Sequence, residues 1–445
     1  MVRQAHHDNF FCLLIRPLFY VDGYKLIKFE TIVNFHTPVS CMLIFLSASQ
    51  KCIGHFTNKQ NIKMKKLLTT AITLFFFYGG LLAQQGKIIL DGIPYKPVIF
   101  FEDGSNMSDA NTDGVIYKKI KGKFYKRVYD GAIKTSWYGA AGDGRTDDSK
   151  AVQKAITWCV ENRKNLEVDG MHLIRTSLVI DRKVDSSKFY EYFILSSNSG
   201  GGFVTDAAIP IFTSSIPFTG SPVSQLVNFR DITFRTTDNN LASFVLDSSK
   251  FLRIQFVNCS FNGIKLLNAN KYVQTIYLTN CNIRNFKGYF FKCMSNTYDF
   301  KMIGCIAEHG DGTCLYLTNP TGCSIQSSLI EGMKGTAITF NGSRGINISG
   351  NYFEGNEEAD IRCDVKALCR GVAIIGNLFA NINKTGNLYS IYWGPTVGAV
   401  SYGNDAMTNL HFLSDKTDVD IKDSAKNKLT NRDESKPDSV NVVIP

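Results

Sequence analysis

Glutamates stand at positions 308, 331 and 354, at two successive intervals of 23 residues. If 23 residues make one turn of a repeating coil, the three side chains stack about 5 Å apart. Stacked carboxylates repel, so at least one is expected to keep its proton to higher pH, as general acid catalysis requires. The separations also suit cleavage of a sugar bond: neighbours fall near the ~5.5 Å of retaining glycosidases, and Glu308 to Glu354 near the ~9.5 Å limit of inverting ones. His309, Asp311 and Asp360 flank the ladder as supporting acid/base candidates, with Asp360 and Arg362 expected to face outward. Arg284 continues the ladder one turn upstream, and Tyr316 and Tyr352 offer rings on which a sugar could stack. A lyase would instead need a base and a group that neutralises a uronate, for which His309, Lys301, Arg362 and Tyr316 are the available side chains. The plainer alternative is a solvated ladder relieved by Arg284 or Lys334, or one that holds a divalent cation such as calcium with no catalytic role.

Such a ladder needs a scaffold that repeats every 23 residues. Past Trp158 short alternating apolar runs recur, each closed by Asn, Gly, Asp or Cys. Aligning FRDITF (229–234), FVNCSF (256–261), YLTNCNI (277–283), KMIGCIA (301–307), IQSSLI (325–330), NISGNYF (347–353) and IIGNLF (374–379) brings one small or polar pair to a common phase seven times. The pairs step by 27, 22, 24, 23, 23 and 26 residues. Strands with this period and no helix in each repeat predict a solenoid of parallel β rungs rather than a sandwich. Alternation places Met302, Ile325 and Ile348 inside and Lys301, Ser324 and Asn347 outside. Roughly ten rungs at about 4.8 Å make a rod about 50 Å long.

The segment TDDSKAVQKAITWCVENRK predicts a helix over the first rung, with Thr146 or Asp147 as N-cap and Val152, Ala155, Ile156, Cys159 and Val160 as its apolar stripe. Residues 84–136 read as lead-in strands, 137–413 as the β-helix and 414–445 as a polar tail. Cys259, Cys281 and Cys305 share the position held later by Asn351 and Asn377, so they are expected to be buried thiols in an inward stack of small residues.

The formal charge of +10 and the twelve cysteines suggest at first a basic, cysteine-rich chain. From Met64, however, MKKLLTTAITLFFFYGGLLAQQG reads as a secretory signal peptide with cleavage near Ala83. Its apolar run is short for a bilayer core of about 30 Å, so no stable membrane anchor is expected. The reading is therefore that residues 1–63 are a spurious upstream extension, 64–83 the signal, and the mature protein secreted to the periplasm or exterior. Removing the extension, with seven Lys/Arg against three Asp/Glu, and the signal's two lysines leaves +4 and nine cysteines. No basic block remains to act as a phosphate stripe, which argues against a nucleic-acid partner. No CxxC pair points to zinc.

The segment WYGAAGDGRTDDSKAVQKAI (137–156) resembles the opening motif of the pectate-lyase superfamily of right-handed parallel β-helices, commonly G-A-x-G-D-G-x-T-D-D before a capping helix. KGKFYKRVYDGAIKTSWYGA (121–140) is similar to the lead-in of phage tailspike-type members. The resemblance implies an all-β fold, a right-handed parallel β-helix with an N-terminal capping helix, and an extended polysaccharide or oligosaccharide as partner. Fold does not settle activity, because the superfamily includes lyases, glycoside hydrolases, epimerases and glycan-binding tailspikes. The polygalacturonase signatures are missing: NTDG at 111–114 precedes the rod, His309 sits in EHGDG, and Arg253 begins RIQ. Nor is the calcium-dependent pectate-lyase pattern visible. Two readings follow: cleavage of an extracellular glycan, as hydrolase or lyase, through the outward carboxylates, or a non-catalytic, tailspike-like glycan-binding rod, as monomer or homotrimer.

Overall fold

The computed structural model describes residues 87–181, 192–215, 226–247, 253–364, 366–380, 389–407, 410–414 and 417–423. The upstream extension, the signal peptide and most of the polar tail lie outside these residues. Residues 87–97 with 125–128 form one compact unit, in which the hairpin Ile88–Leu90/Ile93–Pro97 pairs antiparallel with 125–127. The second unit holds residues 98–124 and 129 onward.

In the second unit each turn of chain lays one short strand on each of three parallel sheets. Sheet A includes Phe193–Ser196, Val227–Arg230, Ile254–Val257, Val273–Thr279, Ser343–Ser349, Cys369–Ile375 and Thr396–Tyr402. Sheet B has eleven strands, among them Asn282–Arg284, Ile306–Glu308, Leu329–Glu331 and Tyr352–Glu354. Sheet C includes Leu267–Ala269, Ile338–Asn341, Ile361–Cys363, Ile391–Trp393 and His411–Leu413. The long strands Lys287–Ile303 and Asp311–Gln326 run from sheet C into sheet A. Register follows the sequence spacing: Ile254 pairs with Ile276, Met302 with Ile325, Ile325 with Ile348, and Ile348 with Ile374. Met302, Ile325 and Ile348 are inside, as alternation requires.

The aligned pair is the corner between sheets A and B. Its first residue has positive φ in eight successive rungs: Asp231, Asn258, Asn280, Gly304, Ser327, Gly350, Gly376 and Gly403. Only glycine adopts this conformation freely, and Asn and Asp are the side chains that tolerate it best, which explains the composition of the column. Its second residue points inward and clamps the preceding corner. Asn377 Oδ1 accepts from Asn351 N (2.9 Å), while Asn377 Nδ2 donates to Ile348 O (3.0 Å). Cys305 does the same in weaker form, its sulfur accepting from Cys281 N (3.4 Å) and donating to Leu278 O (3.5 Å). Cys259, Cys281 and Cys305 are thus buried free thiols, and they share a column with asparagine because both can bridge an N–H and a C=O.

Phenylalanines fill the rod in stacks, for example Phe229 on Phe256 (4.9 Å, 10°) and Phe353 on Phe379 (5.0 Å, 8°). Helix α1 (Ser149–Glu161) covers the first rung, with Val152, Ala155, Ile156 and Cys159 buried and Val160 partly so. Its side chains also satisfy open backbone: Gln153 exchanges hydrogen bonds with Val179 N (2.6 Å) and Val179 O (3.0 Å). Asp148, not Thr146 or Asp147, is the N-cap residue; its carboxylate is drawn away to Ala141 N and Gly142 N, while Asp147 accepts from Ser149. At the other end, strand Thr417–Lys422 pairs with Thr396–Tyr402, so pairing on sheet A reaches past residue 413.

Candidate functional site

The carboxylate ladder exists on the outer side of sheet B. Arg284 pairs with Glu308, Glu308 with Glu331, and Glu331 with Glu354. In each strand the middle residue, Ile283, Ala307, Ile330 or Phe353, is fully buried, which turns the third residue outward. The ends of the ladder are engaged: Arg284 Nη2 lies 3.1 Å from Glu308 Oε2, and the Tyr352 hydroxyl donates to Glu354 Oε2 at 2.8 Å. That hydrogen bond holds the Tyr352 phenol above its usual pKa. Among the described residues Glu331, half-buried between them, has no side-chain hydrogen bond or ion pair. Beside the carboxylates, Ile306, Leu329, Tyr352 and Leu378 form a second outward lane in register.

The other residues expected at the site divide among different places. His309 and Asp311 lie at the corner from sheet B to sheet C; His309 is exposed with φ 56, and Asp311 is 3.3 Å from Lys334 Nζ. Asp360 corrects the expectation of an outward acid. It is fully buried, with its carboxylate accepting from Asn356 Nδ2 at 2.8 Å, because its place in the rung is the inward one held by Ala337 and Cys314 one and two turns earlier. Tyr316 and Arg362 stand on sheet C in the lane Lys292, Tyr316, Thr339, Arg362, Tyr392. There Lys292 Nζ sits 4.5 Å from the Tyr289 ring centre, Arg362 sits 5.2 Å from that of Tyr392, and Tyr392 stacks on Phe412 at 4.7 Å. Lys301 is on sheet A, 4.5 Å over the Tyr277 ring and 3.3 Å from Asp299. Of the expected cations and rings, Arg284 and Tyr352 therefore stand at the glutamates, whereas Lys301, Tyr316 and Arg362 do not.

One buried chain has the order of a nucleophile, base and acid. Thr135 Oγ1 lies 2.8 Å from His172 Nε2, and His172 Nδ1 lies 2.7 Å from Asp148 Oδ2. The three are 0%, 1% and 2% exposed, and the Thr135 hydroxyl donates to Asp169 at 2.6 Å. A sealed and committed hydroxyl cannot meet a substrate, so the chain ties the 139–148 loop to the first rungs. Among the described residues no three of His, Cys, Asp and Glu converge to hold a metal ion, and no helix is long and apolar enough to cross a membrane.

Comparison with known proteins agrees with this architecture. The family described as a right handed beta helix region matches residues 220–388. An uncharacterised 65.4 kDa protein in the cps region of Klebsiella pneumoniae is 23% identical over 239 residues, which span 44% of this chain and 41% of that protein. The crystal structure of the tailspike of Acinetobacter baumannii phage AM24 superimposes with a TM-score of 0.52 at 16% identity, over 75% of this chain and 60% of the tailspike. The enzymatically active domain of tailspike protein 2 of bacteriophage CBA120 gives 0.46 at 14% identity, over 74% of this chain and 52% of that one. The chain thus spans less than half of the curated relative and about three fifths of the first tailspike. The stacked parallel sheets, the helix over the first rung, the match to the right handed beta helix region and the likeness to the AM24 tailspike together give the chain a right-handed parallel β-helix fold.

Proposed function

We propose that the protein is secreted, holds an extended polysaccharide along the side of its rod and hydrolyses it at the sheet B ladder, with Glu331 as the proton-transfer residue. The observation that carries this is the arrangement of three carboxylates in register of which only the central one is uncommitted. Glu331 would give its proton to the glycosidic oxygen as the carbon–oxygen bond breaks. A neighbouring ladder carboxylate, at the short separation of retaining glycosidases, would attack the anomeric carbon, and Glu331 would then take a proton from the water that displaces it from the sugar. The apolar lane of Ile306, Leu329 and Tyr352 would receive the non-polar face of a sugar ring. Elimination fits less well: Arg284 is paired with Glu308, Lys301 and Arg362 belong to other sheets, and the exposed Arg235 of this lane lies three rungs before Glu308, so no described cation stands free beside Glu331 to neutralise a uronate.

A second reading, binding without cleavage, is favoured by the sheet C lane, where cations lie over aromatic rings away from any carboxylate ladder. The Met64-start protein incubated with neutral and acidic polysaccharides separates the two. New reducing ends without ultraviolet absorbance from an unsaturated uronate are expected, and Glu331→Gln should lower their rate by about two orders of magnitude or more. Full activity in Glu331→Gln would discard the ladder mechanism. Retained binding with no product from any polymer would establish the second reading instead.

A further inference from the structure

Sheet A carries an unexplained pair of like charges. Arg344 and Arg370 are directly in register on neighbouring parallel strands, both exposed. Among the described residues neither side chain has an ion pair, a hydrogen bond or an aromatic partner. Like charges placed opposite each other destabilise a sheet. Nothing among the described residues offsets this pair, whereas Lys301, another outward cation of sheet A, is matched by Asp299.

The pair belongs to a longer arrangement. Tyr298, Thr321, Arg344 and Arg370 follow one another in register over four rungs. Three residues further along the same strands run Lys301, Ser324, Asn347 and Ala373, likewise in register. Between the two lanes the chain takes a positive-φ kink in every rung, filled by Thr275 and Asp299 upstream but by Gly322, Gly345 and Gly371 beside the arginines. Glycine here leaves the floor between the lanes free of side chains. In the second lane Ser324 Oγ and Asn347 Oδ1 are screened from water yet have no hydrogen-bond partner. Unsatisfied polar atoms of this kind call for a group that the protein itself does not supply.

We propose that these two lanes form a binding site for an anionic polysaccharide lying along sheet A. Its carboxylate or sulfate groups would be taken by Arg344 and Arg370, and its hydroxyls by Ser324 and Asn347. Guanidinium groups suit carboxylates and sulfates alike because they can donate two parallel hydrogen bonds to two oxygens of one group. Ser324 and Asn347 are only half-buried, and rotation of their side chains would bring the Asn347 oxygen and the Ser324 hydroxyl out to sugar hydroxyls, which donate as well as accept. The site is independent of hydrolysis at the sheet B ladder and would persist in a protein that cleaves nothing.

Binding is tested on the full chain with three immobilised polymers: polygalacturonate, chondroitin sulfate and dextran. The wild type should bind at least one of the two anionic polymers, with an affinity that falls steeply as salt rises, and should not retain dextran at this face. The double variant Arg344→Gln/Arg370→Gln should weaken that binding by roughly tenfold to hundredfold with an unchanged melting temperature. Lys150→Gln/Lys154→Gln on helix α1 removes the same charge elsewhere and should change binding less than about twofold. Polygalacturonate carries carboxylates alone and chondroitin sulfate both carboxylates and sulfates, so equal binding would point to carboxylate recognition and a preference for chondroitin sulfate to an added sulfate contact. Equal losses in the two double variants would mean diffuse charge attraction and would overturn the site, as would wild-type indifference to both anionic polymers at low salt. Asn347→Ala, which leaves the charge intact, should also weaken the anionic polymer severalfold, an effect that net charge alone does not predict.

Discussion

Removing the side chain of Asn377 tests whether the inward column at the corner between sheets A and B holds the rungs together. The Asn377 amide makes four hydrogen bonds: Oδ1 accepts from Asn351 N and Asn351 Nδ2, and Nδ2 donates to Ile348 O and Asn404 Oδ1, all at 2.9–3.0 Å. At about 0.5–1.5 kcal/mol net for each, Asn377→Ala should cost about 2–6 kcal/mol. The upper half of that range is expected, because Asn377 is only 2% exposed and two of the abandoned groups are backbone atoms that water reaches poorly. Asn377→Cys should cost clearly less than Asn377→Ala, since Cys305 already bridges the same two backbone positions in an earlier rung and Cys281 donates to the corresponding carbonyl in the one before it. The measurement is urea unfolding, combined with hydrogen exchange of the Asn351 amide, which reports the local opening even where a solenoid does not unfold in one step. A loss below about 0.5 kcal/mol in Asn377→Ala, or equal losses in the Ala and Cys variants, would refute the clamp.

Other features give further expectations. Burial works against ionisation of Asp423, yet hydrogen bonds from His411, Ser401 and the Asn404 N–H hold its carboxyl below the usual value. A lowered folded pKa contributes stability above the ordinary carboxylate value of about 3.9 that is lost as pH falls through the folded value. Acid titration should therefore loosen the last rungs and alter the fluorescence of Trp393, whose indole donates to His411, while Asp423→Asn should remove that transition. Gly202→Ala should prevent stable folding, because a Cβ there would run into the Thr233 carbonyl oxygen of the paired strand; soluble expression with an unchanged melting curve would contradict this. Burial pushes Cys323 up to about 11, and the nine cysteines among the described residues are buried and free, so in the Met64-start protein a disulfide reagent should label almost none of them in the native state and all nine after unfolding. Arg284→Ala should change stability by less than about 1 kcal/mol, because the guanidinium of its pair with Glu308 is largely exposed.

The rungs were legible because their corner is chemically demanding. A positive-φ residue followed by a small inward group that can bridge an N–H and a C=O admits few residue types, so the pair repeats visibly through Asn258-Cys259, Gly350-Asn351 and Gly376-Asn377. The sheet assignment of the site residues was legible in principle, by distance from that pair. Lys301 lies three residues before Gly304 and so on sheet A, Glu308 four after it on sheet B, and Tyr316 twelve after it on sheet C. Asp360 lies ten after Gly350, the phase at which Cys314 and Ala337 are buried, so its inward position was written in the spacing although its carboxylate suggested the surface. The arginine pair was marked too, by SRGINIS and CRGVAII at one phase, but unpaired charge becomes informative only when the neighbours that fail to pair with it are known.

The separation of the sheets has a consequence for how this rod can work. Inward positions are fixed by packing and by the corner clamp, whereas each outward lane can change without disturbing a neighbouring lane on another sheet. The chain has used that freedom unevenly. Sheet B places acid beside apolar side chains, sheet C places cations over rings, and sheet A exposes two arginines with no anion to meet them. A single polymer lying on one face would leave two of these patterns without a purpose, whereas separate binding and cleavage lanes account for all three. The two activities should therefore be separable by substitution: Arg344→Gln/Arg370→Gln should lower retention of an anionic polymer while leaving the turnover of a short neutral oligosaccharide within about twofold, and Glu331→Gln should do the reverse. Loss of both in either variant would show that the lanes act on one chain of sugar as a single site.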